Sequence, residues 1–302
     1  MAASQFNRYI WLVDTIRSAG RISRQEIDRR WSISTLNENH ENVLPERTFF
    51  RYRNAIEELF GIEILCDRGA GGLYYIADTG FRSRTKEWLL SQFALQNSLQ
   101  ESHQLEGRII YEDIPQGTQY LTVFSESMRS NRIIKMVYQP FDADQASEVL
   151  MATYCMKVFK QRWYVLGDTR LKTKTGWVEK GVRLYALDRI KSIEILDEIF
   201  QLPVHFDAQD YFKGFYGVFR GNHYKPQLIK AQVSEAAAPY LRSLPLHASQ
   251  EEEKPCLFTW YVAPTYDFIQ QLRTFGSDLE VLSPQSLRDE FVSETLRLNR
   301  MY

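Results

Sequence analysis

Between residues 121 and 200 the apolar pattern changes from the period of helices to that of strands, and no other feature constrains the fold of this chain as much. RIIKMVYQ (132–139), ATYCMKVF (152–159), RWYVLGD (162–168), GVRLYALDRI (181–190) and SIEIL (192–196) are short β-type runs broken by turn chemistry such as TKTGW and EKG. Several closely spaced short strands predict a small barrel. Side chains alternate faces along a strand, so Trp163 and Val165 share one side while Arg162, Tyr164 and Leu166 share the other. Trp163 is read as core, because large aromatic rings fill the interior of short barrels.

Positive charge gathers on the same strands. The chain carries a net charge of −1, yet residues 150–192 hold ten Lys or Arg against three acids, which points to an anionic partner. In VRLYALDRI the alternation groups Arg183, Tyr185, Leu187 and Arg189. Two cations, a phenol and an apolar residue suit a nucleotide-sized ligand, with Arg contacting phosphate and Tyr offering a stacking plane. Tyr138 and Lys157 border that face, and Arg162 and Tyr164 complete the candidate ligand set. The structural alternative is an Asp188–Arg189 ion pair at a strand end with Arg183 simply exposed, and on the residues alone the two readings weigh equally. Lys172 and Lys174 are read as solvating a turn.

The N-terminal eighty residues contain ten Arg and no Lys. Phe6, Tyr9, Ile10, Val13 and Ile16 predict a first helix ending near Gly20. A second is announced by ISRQEI, where Ser23 and Glu26 form a capping box and Ile22 packs on Ile27. In LPERTFFRYRNAIEELFG the stripe Phe49, Tyr52, Ile56, Leu59 and Phe60 predicts a third helix, with Pro45 near its start and Gly61 at its end. IEILCDRGAGGLYYIAD reads as a hairpin. Three helices and a hairpin predict a winged helix-turn-helix whose third helix reads DNA through Arg47, Thr48, Arg51, Arg53 and Asn54, with Arg68 in the hairpin turn approaching the backbone. The alternative is an ordinary small helical domain with a solvated Arg face.

Residues 81–120 read as a helical linker that dimerises the chain, 201–222 as an aromatic linker, and 223–302 as a small α+β domain with EEEK at a loop tip. The expected architecture is therefore α+β and multidomain: a DNA-binding unit (1–80), the helical linker, a ligand-sensing β-barrel (121–200), a linker and the C-terminal domain.

Enzymatic signatures are missing. The five histidines are scattered without metal-ligand spacing, and Cys66, Cys155 and Cys256 lie too far apart to suggest a zinc site or a disulfide framework. RGAGG lacks the strand-to-helix context of a dinucleotide fingerprint, and Asp142 and Asp144 lie in the polar loop FDADQAS. No enzyme, metal or cofactor is expected. The chain shows no membrane-spanning run, and MAASQFNRYIWLVDTIRSAG has no cleavable leader pattern, so a cytoplasmic location is expected.

At QRWYVLGD and VRLYALDRI the chain resembles the WYL-domain family of bacterial transcriptional regulators. PERTFFRYRNAIEELFGI resembles that family's recognition helix, FDAQDYFKGFYGVF the linker after its WYL domain, and YLRSLPLHASQ with TFGSDLEVLSPQSLR its C-terminal extension. The resemblance implies an Sm/SH3-like β-barrel binding a nucleotide or single-stranded nucleic acid, which controls operator DNA binding by a homodimer. Val165 replaces the Leu of the family's name, Ala152, Thr153 and Tyr154 stand where relatives carry His-Pro-Tyr, and Ala186 stands where relatives often carry a second Arg. Two alternatives from other classes are a protein-interaction or assembly module and a catalytic effector acting on nucleic acid.

Overall fold

The computed structural model describes residues 2–69, 71–77, 117–221 and 223–302. The chain forms two compact units, Met1–Glu112 and Asp113–Tyr302. Except for 117–120, the connector expected over 81–120 lies outside the described residues.

The first unit packs α1 (Ala2–Ala19), α2 (Arg24–Ser32) and α3 (Glu46–Phe60) around one core containing Ile10, Leu12, Ile16, Ile27, Phe49, Tyr52 and Ile56. Ser23 caps α2 by accepting the Glu26 N–H at 3.2 Å. Glu26 does not return the bond. Its carboxylate takes Arg29 at 2.7 Å and Arg30 at 3.0 Å instead, and these cations hold it down at about 2, so the expected box is half formed. Helix α3 ends at Gly61, whose φ of 64° is left-handed. Leu59, expected in the apolar stripe, is 60% exposed because Phe60 closes that end of the core against Phe6. Strands β1 (Ile64–Asp67) and β2 (Leu73–Ile76) form the antiparallel hairpin. Ile22 and Tyr74 exchange both backbone bonds, tying the α1–α2 turn to it.

In the second unit α4 (Leu121–Ser130) precedes β3 (Arg132–Tyr138), β4 (Ser147–Phe159), β5 (Arg162–Thr173), β6 (Gly176–Ala186) and β7 (Ile190–Ile199). These strands make one antiparallel sheet in the order β6-β5-β4-β3-β7. The sheet curls strongly: Arg170 on β5 pairs with Glu198 on β7 at 2.8 Å across the two strands between them. It does not close. No ladder joins β6 to β7 among the described residues, so where a small barrel is expected the strands form an open, curled sheet. Its core gathers Phe124, Ile134, Met136, Met151, Val165 and Leu187, and Trp163 packs on it from the same strand face as Val165.

A segment containing the short helix α5 (Ala208–Phe212) leads to β8 (Gln227–Val233), α6 (Ala238–Ser243), β9 (Glu251–Lys254), β10 (Leu257–Val262), α7 (Tyr266–Arg273), β11 (Leu279–Ser283) and α8 (Gln285–Asn299). The sheet order β11-β8-β10-β9 with these crossovers is a ferredoxin-like βαββαβ arrangement closed by a final helix. Its core is built on Trp260, Phe258, Phe268 and Leu272. EEEK is the edge strand β9 rather than a loop tip: it pairs with β10, and Glu252 accepts both Arg242 and the Cys256 N–H.

Candidate nucleic-acid interface and ligand cleft

Six of the ten arginines of residues 1–80 are held in ion pairs. Arg8 pairs with Glu38, Arg17 with Asp14, Arg21 with Asp67, Arg24 with Asp28, and Arg29 and Arg30 with Glu26. The other four are Arg47, Arg51, Arg53 and Arg68, which form no ion pair among the described residues. Arg47, Arg51 and Asn54 are exposed on α3, Thr48 and Arg53 are half-buried beside them, and Arg68 is exposed in the hairpin turn. Arg51 leans over the Tyr52 ring and Arg53 over the Phe50 ring, at 5.7 and 5.1 Å, contacts that orient a guanidinium without neutralising it.

The second unit has a cleft of about 510 Å³ along β6 and the 211–221 segment. Lys180, Arg183 and Arg220 supply its charge, and Tyr138, Tyr185, Tyr211, Phe212 and Phe219 supply rings. Among the described residues no carboxylate lines it. The three cations make no ion pair among the described residues: Arg183 donates to the Lys180 carbonyl at 3.2 Å, and Arg220 stacks on Tyr211 at 3.6 Å from the ring centroid. Tyr138 and Tyr185 meet edge to face at 4.7 Å, and burial pushes both phenols up from their ordinary range, so they stay protonated at neutral pH.

Of the seven residues expected to bind ligand, the cleft collects Tyr138, Arg183 and Tyr185. The other four are employed elsewhere. RLYALDRI is not one strand: β6 stops at Ala186 and Leu187–Arg189 is a 3-10 turn, which sends Leu187 into the core and takes Arg189 out of register with Arg183. Arg189 stacks instead on Phe141 at 3.6 Å. Arg162 pairs at 3.3 Å with Asp188, which is only 7% exposed, so the structural cation of this turn is Arg162 and not Arg189. Tyr164 is half-buried, with its phenol raised by burial, and does not line the cleft.

Lys157 does not line the cleft but touches two residues of the segment that does. Its ammonium donates to the Gly217 carbonyl at 2.5 Å and sits 3.9 Å from the centre of the Phe212 ring, and burial lowers its pKa to about 8. From the other side Asp267, in the first turn of α7, accepts the N–H groups of Val218 and Phe219, both at 2.7 Å. Gly217 is required there, since its φ is +77° and a Cβ would stand 2.4 Å from the Asp267 Oδ2. The loop that contributes Val218, Phe219 and Arg220 to the cleft is thus pinned to β4 by Lys157 and to α7 by Asp267.

Lys180, Tyr211, Phe212, Phe219 and Arg220 also line the cleft and lie outside the expected ligand set. The aromatic density of DYFKGFYGVFR was the available signal. Among the described residues no group of His, Cys, Asp or Glu is placed to hold a metal ion, and no helix is long and apolar enough to cross a membrane. All three cysteines are free, with Cys256 buried and Cys66 and Cys155 half-buried.

Comparison with known proteins fits this layout. A WYL domain model matches residues 119–195 and a WCX domain model matches residues 225–298. The chain therefore carries a WYL domain followed by a WCX domain. Among solved structures it is similar to proteasome accessory factor B/C (PafBC) of Arthrobacter aurescens, at 15% identity and a TM-score of 0.31, covering 96% of this chain. It spans 45% of the length of that protein. It is also similar to a CRISPR Cas-related protein, at 11% identity and a TM-score of 0.40, covering 99% of this chain and 84% of the other. No curated protein sequence matches it.

Proposed function

We propose that this protein is a DNA-binding transcriptional regulator, not an enzyme, whose WYL cleft senses an anionic nucleotide or single-stranded nucleic-acid ligand. The observation that carries the reading is the cleft itself: three unneutralised cations and five rings with no carboxylate among the lining residues. Such a lining repels acidic surfaces and rewards a ligand with phosphates and flat bases. The N-terminal unit is read as a winged helix-turn-helix in which α3 enters the major groove, with Arg47, Arg51, Arg53 and Arg68 meeting phosphates or base edges. The curled sheet takes the part of an Sm-like barrel. Action as a cytoplasmic homodimer completes the proposal, because paired heads match paired half-sites on DNA.

A ligand shifts such a regulator only by its differential affinity for two arrangements. The pinned 217–221 loop is the element through which occupancy of the cleft would be felt at β4 and α7. The test is titration of the full chain with a labelled short oligodeoxyadenylate, followed by fluorescence anisotropy. Arg183→Ala combined with Arg220→Ala is expected to weaken binding about 10- to 100-fold and to flatten its salt dependence, while duplex DNA binding stays within about threefold. Unchanged oligonucleotide affinity in the double variant would remove the cleft as the sensor.

A further inference from the structure

We propose that the cleft holds its ligand along the open backbone edge of β6, where main-chain groups of Val182 and Leu184 meet the Watson–Crick edge of an unpaired base. This rests on the reading of the cleft as a nucleic-acid site and adds how that site reads its ligand.

Among the described residues β6 is the terminal strand of its sheet and pairs only with β5. From Tyr164↔Ala186 to Thr169↔Gly181 the register is unbroken. In an antiparallel ladder successive residues alternate, one turning both its N–H and its C=O toward the partner strand and the next turning both away. Two contacts fix the phase. The Ala186 N–H donates to the Tyr138 hydroxyl at 3.4 Å, on β3, and so points away from β5. The Gly181 carbonyl accepts the Thr169 hydroxyl at 3.0 Å, from β5, and so points toward it. Both assign Gly181, Arg183 and Tyr185 to the ladder and leave Val182 and Leu184 facing outward.

Val182 and Leu184 line the cleft and make no backbone bond outside the ladder among the described residues. Arg183 and Tyr185, from the opposite strand face, line it as well, so the cleft follows the strand edge rather than one face. Each outward residue offers a donor and an acceptor side by side. The Watson–Crick edge of every base carries a matching pair, and it is free only when the base is unpaired. Main-chain groups do not discriminate among side chains or bases, so the expected readout is single-strandedness rather than sequence. An exposed edge also invites an added peptide strand. The uncompensated cations and rings around this edge favour nucleic acid.

Amide hydrogen exchange and binding measured on the full chain decide the matter. In the free protein the Val182 and Leu184 amides are expected to exchange fast and those of Arg183 and Tyr185 slowly; oligodeoxyadenylate is expected to protect the first pair. The same oligomer methylated at adenine N1 is expected to bind about tenfold more weakly, and oligodeoxycytidylate to match the adenylate within about threefold. Leu184→Pro deletes an outward donor at an edge position and is expected to keep the unfolding midpoint while weakening the oligomer about threefold or more; Arg183→Pro, which breaks the ladder, is expected to lower the midpoint. Slow exchange at Val182 and Leu184 in the free protein overturns the strand phase. Intact binding without their protection, or indifference to N1 methylation, overturns the edge contact and leaves the cleft as the site. Absence of any oligonucleotide binding overturns the underlying reading too, as does protection of these amides only by an acidic peptide.

Discussion

The arginines of α3 and the cations of the curled sheet were singled out by the same reasoning, and the structure treats them differently. Among the described residues every expected arginine of α3 is free of carboxylates, while those of the neighbouring helix α2 are all paired. In the sheet the expected cations divide: Arg183 opens on the cleft, Arg162 neutralises Asp188, Arg189 stacks on Phe141 and Lys157 anchors the Gly217 loop. A helix surface exposes a predictable stripe, so a polar residue away from the core meets solvent or a partner. A curled sheet has two concealed sides, and a cation on either can be consumed by the fold.

The largest expected effect tests the helical half of this contrast. Arg47→Ala with Arg51→Ala should weaken duplex DNA binding about 10- to 100-fold and reduce the slope of log affinity against log salt by about 2. Arg29→Ala, which removes a cation already paired with Glu26, should change affinity by less than about threefold. Equal losses in the two variants would erase the distinction between paired and unpaired arginines. Electrophoretic mobility shifts at several salt concentrations measure both.

A smaller effect sharpens the sheet half. Arg162→Ala strands the nearly buried Asp188, and the unfolding free energy in urea should fall by about 1–3 kcal/mol while oligonucleotide affinity holds within about threefold. A loss of affinity without a loss of stability would return Arg162 to the ligand set.

The smallest concerns Lys157. Its folded pKa of about 8 lies below the ordinary 10.5, so the unfolded chain holds more protons between those values and stability rises with pH across that window. Below pH 8 both states are protonated and the stabilisation is absent. The rise is expected to be about 1–2 kcal/mol, and Lys157→Met should abolish it, which urea titrations of both proteins at pH 7.5 and 10 would measure.

What could be read from residues alone follows the same division. The helical period located α1 and α3, the capping signal at Ser23 located α2, and alternation placed Trp163 and Val165 on one face of β5, because all three patterns are local. Alternation could not show that β6 ends at Ala186. That stop depends on Leu187 being drawn into a core made by distant strands, after which β7 joins the far edge of the sheet. Nor could it bring Phe219 and Arg220 to the cleft that Tyr185 lines, since their loop is held by Lys157 and Asp267.

The sequence by itself determined most of the elements and their order, the positive balance of residues 150–192 and the family motif, all of which depend on neighbours within a few turns or strand pairs. Tertiary structure alone decided which cations remain unneutralised, that the sheet stays open, and that the β6 edge faces a cleft. The reason is electrostatic and geometric: a charge is available only if folding brings it no counter-charge, and that depends on residues far away along the chain.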